Sequence, residues 1–284
     1  MKSLGLLVVL TVLSICASAQ TNNSQPPTHR DSVRERFLDH GAWLHPLFSR
    51  ERAMYIDSAI ALSHDDAYLW QQRAMPYFKQ MKYEVGMPYL DSAVKYDSMM
   101  WLDYRAFIKC IFSKQYREAI QDFRAAQRQR PTAGVMDHEY NFYLGLSYLQ
   151  LCQYDSAESL FSTCIRHDGE AGKDWVHYMH MFYIGIAQYE EQRYGAAVLS
   201  FDRAIESYPH FADAKYYKVR CMMALDPTNP PLALMIEGRD DIKNGLTINE
   251  DNAVYEKYPY QIGANAFDDM IVQAQKHLGR QQSQ

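Results

Sequence analysis

Positive charge is in short supply. The chain has 29 lysines and arginines against 34 aspartates and glutamates, for a formal charge of −5. A protein that holds nucleic acid by displacing phosphate counterions needs the opposite balance, so no nucleic-acid partner is expected. Glycine (13) and proline (11) are too few for a collagen-like or low-complexity chain. No apolar run reaches the roughly 20 residues of a membrane-spanning helix. Catalytic signatures are missing too: there is no G-x-S-x-G elbow and no phosphate-binding P-loop. His138-Glu139 begins a zinc-protease pattern, but Phe142 stands where the second histidine belongs. Asp240-Asp241 and Asp268-Asp269 are adjacent pairs, which diverge by about 100° on a helix and do not converge on one substrate. His177 and His180 lie one turn apart with Asp174 close by, and read as a solvated group. The chain is therefore expected to be no enzyme, with no catalytic residue, metal or cofactor.

Cysteine is sparse, and the spacings of 42, 12 and 57 between Cys110, Cys152, Cys164 and Cys221 match no zinc pattern. Four cysteines leave three disulfide pairings open. Helical registers place three of them in helix interiors, where a small thiol packs as a core residue.

The amino terminus has the layout of an export signal. Lys2 supplies a positive end, residues 4–15 are mostly apolar, and Ala17-Ser18-Ala19 provides small residues for cleavage before Gln20. The mature protein is thus expected outside the cytoplasm, in the periplasm or cell envelope. Leu13-Ser14-Ile15-Cys16 is similar to a bacterial lipobox, except that Ile15 occupies a site that should be small. Lipidation at Cys16 is the one route by which a membrane becomes a partner. Residues 20–30 are polar, include Pro26-Pro27 and read as a flexible linker. Ser32 and Glu35 have the spacing of a capping box that opens the first helix.

What the rest of the chain has is a repeated phrase. An aromatic, a small residue, a large apolar residue and a second small residue follow at steps of 3, 4 and 3: Tyr83, Gly86, Leu90, Ala93; Tyr116, Ala119, Phe123, Ala126; Tyr154, Ala157, Phe161, Cys164; Tyr194, Ala197, Phe201, Ala204. Weaker copies are Arg52, Ile56, Ala59 and Gly238, Ile242, Gly245. Successive first small positions are 34, 33, 38, 40 and 41 residues apart. Steps of three and four return to one helix face. Gly145 and Gly185, in the apolar runs upstream, each precede the small alanine of the next phrase by twelve residues. Two helices per repeat, meeting through small residues, make an all-α solenoid.

In these residues the chain resembles the tetratricopeptide-repeat family, of the exported bacterial kind. Gly145, Tyr148, Ala157, Phe161 and Cys164 match its repeat, as do Gly185, Ala197, Phe201, Ala204 and Pro209, and Ala119, Phe123, Ala126 and Pro131. Phe107 departs from it, occupying a slot that should be small. The resemblance implies five to six helix-turn-helix repeats. The expected organisation is a signal peptide over 1–19, a linker over 20–30, a degenerate repeat over 31–66, repeats over 67–250, and a capping helix and tail over 251–284. Phe267, Met270, Ile271, Ala274 and Leu278 supply the capping helix face, and Gly279 its expected stop.

The resemblance also implies that function lies on the concave face, lined by the first helix of each repeat. Carrying the register across gives Trp101, Tyr104, Ile108, Phe142, Leu146, Phe182, Ile186, Tyr189 and Tyr216, an apolar and aromatic column that either lines a groove or packs the first helices against one another. Such a trough suits a segment of a protein partner, and the expected function is a non-catalytic interaction scaffold. The lysine and asparagine with which some relatives clamp a chaperone carboxylate are replaced by Gln71 and Met75. The alternative is a glycan-binding accessory protein in which Arg105, Gln150, Glu190 and Arg220 hold sugar hydroxyls beside the rings.

Overall fold

The computed structural model describes residues 28–170, 172 and 176–281. The expected export signal, Cys16 and Asp174 lie outside the described residues. The chain folds as thirteen described α-helices: α1 His29–Arg34, α2 Arg50–Leu62, α3 Ala67–Phe78, α4 Tyr83–Tyr96, α5 Ser98–Phe107, α6 Tyr116–Gln129, α7 Tyr140–Gln150, α8 Tyr154–Glu170, α9 Tyr178–Glu190, α10 Tyr194–Ser207, α11 Ala212–Leu225, α12 Leu232–Lys243 and α13 Asp268–Gln281. Helices α3 to α12 pair in sequence as five antiparallel hairpins, each packed on the next. The one described sheet is a two-residue bridge, Gly134–Val135 against His138–Glu139. One apolar core runs from Ala67 to Ala274, and a smaller one from Val33 to Leu69 lies under α1 and α2.

The repeated phrase works as a lock. A Cβ on Gly145 would lie 2.7 Å from the Phe161 ring, and one on Gly185 would lie 2.6 Å from Phe201. The glycine in the first helix therefore admits the phenylalanine of the second. In α5, Phe107 fills that slot itself, packing edge-on against Phe112 and Tyr143 at 5.6 and 5.4 Å. The chain widens immediately afterwards into a π-turn over Ile108–Phe112. Four hairpin turns reverse through the same device, a side-chain-bearing residue in the left-handed region: Met81, Lys114, Cys152 and Gln192, with φ of 58, 57, 58 and 59°. Ion pairs tie the hairpins: Arg105 holds Asp122 at 2.8 Å, and buried Lys215 joins Glu237 and Asp241.

The ends differ from expectation. Thr28 and Asp31, not Ser32 and Glu35, form the capping box, because Asp31 reaches back to the Thr28 amide at 2.9 Å. His29 and Arg30 are therefore helical and not linker, and Arg30 pairs with Asp65 at 2.5 Å. Arg34 grips Asp66, the N-cap of α3, at 2.6 and 2.7 Å, which anchors the degenerate first repeat. At the far end, residues 251–267 contain no α-helix, and α13 runs through Gly279 to Gln281. All four described cysteines are free thiols. Cys110, Cys164 and Cys221 are buried, and burial pushes the first and last up to about 12.

Candidate functional site

The face presented by the first helices α7, α9 and α11 is covered by the segment between α12 and α13, whose far end reaches Lys79 and Lys114 beside α3 and α5. At its start, the Ala212 amide donates to the Leu246 carbonyl at 3.0 Å, while the Asp213 carboxylate accepts from the Thr247 hydroxyl at 2.6 Å and the Ile248 amide at 3.0 Å. The segment then passes Tyr178, whose hydroxyl accepts from the Asn249 amide at 3.4 Å, and puts Glu250 3.3 Å from His138, just before α7. A 3-10 turn, Asp251–Val254, lies at its far end. There the Lys79 ammonium sits 3.7 Å above the Tyr255 ring, and Lys114 pairs with Glu256 at 3.4 Å.

The return path crosses the same helices in reverse. Lys114 donates to the Lys257 carbonyl at 3.3 Å, the Tyr183 hydroxyl donates to the Pro259 carbonyl at 3.0 Å, and Tyr260 meets Tyr217 edge-on at 5.8 Å. The Ile262 amide donates to Asp213 at 2.8 Å, so one carboxylate closes both ends of the loop. Phe267 then packs edge-on to Tyr216 at 5.5 Å and fills the space over Gly238. Ile248, Tyr258, Ile262 and Phe267 are all buried. Burial pushes the Asp213 carboxyl up, while its three hydrogen bonds pull it back.

Over α7, α9 and α11 the expected trough is covered, and the nine residues assigned to it divide. Ile108, Phe142, Leu146, Phe182 and Ile186 are buried core. Phe142 stacks on His138 with ring centres 3.8 Å apart, and Phe182 packs against Phe201, Phe211 and Tyr217. Trp101, Tyr104, Tyr189 and Tyr216 are half-buried. Burial pushes the Tyr104 phenol up to about 12. The side chains that meet the segment lie one position further on, at Tyr143, Tyr183 and Tyr217. Each stacks on the phenylalanine of the preceding second helix, in the pairs Phe123–Tyr143, Phe161–Tyr183 and Phe201–Tyr217, at 5.4, 5.4 and 6.2 Å. A hydroxyl on a buried ring needs a polar neighbour, and that chemical difference between Phe142 and Tyr143 was the signal in the sequence.

The polar groups proposed for sugar do not converge. Arg105 is spent on Asp91 and Asp122, Gln150 accepts from the Tyr116 hydroxyl at 3.3 Å, and Arg220 lies over the rings of Tyr189 and Tyr216. The histidines do converge, against expectation. His180 is buried and His177 half-buried, and His138 reaches them from one repeat away, so that a ligand atom from each falls within 4.8 Å of the others. The Asp168 carboxylate lies 3.3 Å from His180 Nδ1.

Residues 113–169 match the family model described as tetratricopeptide repeat. No curated protein is significantly similar in sequence. Among solved structures, a tetratricopeptide repeat protein from Parabacteroides merdae is similar at 16% identity, covering 89% of this chain and 89% of that one with a TM-score of 0.59. The pilF protein of Pseudomonas aeruginosa is similar at 14% identity over 87% of this chain and 100% of that one, with a TM-score of 0.54. The C-terminal part of a TPR repeat-containing protein from Cytophaga hutchinsonii shares 17% identity over 69% and 74%, with a TM-score of 0.53. At these identities the likeness is one of fold.

Proposed function

We infer that this tetratricopeptide-repeat protein is an exported, non-catalytic scaffold that binds a segment of a protein partner on its first-helix face. The observation that carries the reading is how that face treats the chain's own segment. Asp213 takes two main-chain amides, and Tyr183 and Lys114 each give a hydrogen bond to a main-chain carbonyl. Those are the contacts with which a groove holds an extended peptide.

The C-terminal segment occupies the face over α7, α9 and α11 and turns back beside α3 and α5. A cavity of about 140 Å³ stays open there, lined by Met75, Phe78, Tyr104, Phe107, Ile108 and Phe112 and bordered by Lys79 and Tyr255. It is smaller than the roughly 300 Å³ of a small-molecule pocket, and suits one apolar side chain of a partner segment. The partner thus engages the N-terminal end of the column, around the half-buried Trp101 and Tyr104. A photoreactive benzoyl-phenylalanine in place of Tyr104, in the native cell, should give one discrete protein adduct. The same probe in place of Leu199, exposed on a second helix, should give none. Equal labelling from both positions, or none from either, would sink the reading.

Export rests on the sequence of residues 1–19. The native protein is expected to begin at Gln20 and to stay in the aqueous phase of a detergent extraction. Amino-terminal mass spectrometry checks this: an intact Met1 removes export, and a lipid on Cys16 moves the protein to a membrane surface. Among the described residues no helix is long and apolar enough to cross one.

A further inference from the structure

We propose that His138, His177 and His180, with Glu250 as fourth ligand, bind one divalent metal ion of the zinc class, and that the ion fastens the C-terminal segment onto the repeats. The three imidazoles come from the starts of two successive first helices. His138 lies in the two-residue strand before α7, His177 is the N-cap of α9, and His180 is in its first turn. The carboxylate comes from the covering segment, so the four groups meet only when that segment is in place.

The three imidazole ligand atoms fall within 4.8 Å of one another, and Glu250 reaches one of them, His138, so a tetrahedral set forms on a small inward movement of the side chains. Metal–ligand bonds of about 2.0 Å at tetrahedral angles put ligand atoms about 3.4 Å apart and imidazole centres about 5 Å apart. The ring centres here lie 5.1, 5.5 and 6.2 Å apart, and His138 Nε2 is 3.3 Å from Glu250 Oε1. That nitrogen is enclosed and makes no hydrogen bond. Glu250 is buried, and His138 is its one ion-pair partner among the described residues. A buried carboxylate facing a cluster of imidazoles is an arrangement that a dication balances.

The surroundings have the form of a second layer around a metal. Asp168 lies 3.3 Å from His180 Nδ1, the kind of carboxylate contact that orients a metal-binding imidazole. Phe142, stacked on His138, and the edge of Tyr143 supply an apolar wall. His177 Nδ1 accepts from the Met179 amide at 3.4 Å as the N-cap of α9, which holds its ring at the mouth of the cluster. Three imidazoles and one carboxylate select zinc or a neighbouring first-row ion over calcium or magnesium. Four protein ligands leave no open position, so the ion is structural and not catalytic.

The test takes the full chain, strips it with a chelator, dialyses it against Zn²⁺ and measures bound metal by mass spectrometry and affinity by calorimetry. One Zn²⁺ per chain with sub-micromolar affinity is expected. His180→Ala should weaken it by about 100-fold or more, and Glu250→Gln by about tenfold. Zn²⁺ should also slow amide exchange over 246–262 in the unaltered chain, and do so far less in Glu250→Gln. Less than one equivalent bound, an affinity indifferent to His180→Ala, or exchange unmoved by Zn²⁺ would overturn the proposal. Should the histidine variants fail to fold, zinc X-ray absorption on the unaltered chain decides. Three imidazoles and one oxygen at about 2.0 Å support it, and sulfur ligands or a shell of water overturn it.

Discussion

Phe182→Ala should cost about 3 to 5 kcal/mol of unfolding free energy. The ring has no exposed surface and is enclosed by Tyr183, Phe201, Phe211 and Tyr217, with ring centres 5.0 to 6.0 Å away. Those neighbours sit on three helices and the loop before one of them, so the void cannot close without moving two hairpins. Removing the ring leaves a cavity as well as losing its transfer free energy, which is why the effect exceeds simple area burial. In a solenoid each repeat is stabilised chiefly by its neighbours, and the loss should therefore spread from α9 to α11. Tyr189→Ala, at a half-buried ring about two helical turns further along α9, should cost clearly less. Urea unfolding of both variants checks the pair. An equal and small effect at the two sites would mean that Phe182 lines an open groove after all.

The contrast between those two residues shows what a periodic pattern can and cannot disclose. Small residues at fixed intervals gave the hairpins correctly, because a glycine at 145 and a phenylalanine at 161 are complementary shapes whatever the rest of the chain does. The same pattern could not tell a ring facing the second-helix layer from one facing the opposite side, since Phe142 and Tyr143 are adjacent and both aromatic. A free column was inferred by assuming that nothing of this chain covered it. Residues 244–267 carry no helical or strand period, and their contacts reach Asp213, Tyr183, Lys114 and Lys79, from 35 to more than 170 positions away in sequence. The contacts to Asp213, Tyr183 and Lys114 are made by an irregular backbone to a side chain, so no local rule announces them. The histidine cluster was hidden for a related reason. His177 and His180 look like a surface pair on a helix until His138 arrives from the preceding repeat.

Asp213→Ala should release that covering segment with little damage to the hairpins beneath. One carboxylate accepts from the Ile248 amide, the Ile262 amide and the Thr247 hydroxyl, at 3.0, 2.8 and 2.6 Å. Both amides belong to buried residues, and a buried donor stripped of its acceptor costs about 1 to 3 kcal/mol. Loss of the pair therefore destabilises the docked segment by about 2 to 5 kcal/mol. The segment has an alternative to bearing that penalty: it can leave the surface and give its amides to water, a local opening rather than global unfolding. The expected signature is fast hydrogen exchange and new proteolytic cleavage within 246–262, while α3 to α10 keep their protection. Asp213→Asn keeps one acceptor but points an NH₂ group at the second amide, and should lie between the alanine variant and the parent. Unchanged exchange over 246–262 in Asp213→Ala would show that apolar burial of Ile248, Tyr258 and Ile262 holds the segment unaided. Collapse of protection throughout α3 to α10 would show instead that the segment is an integral layer of the fold, and that the first-helix face is never vacated for a partner.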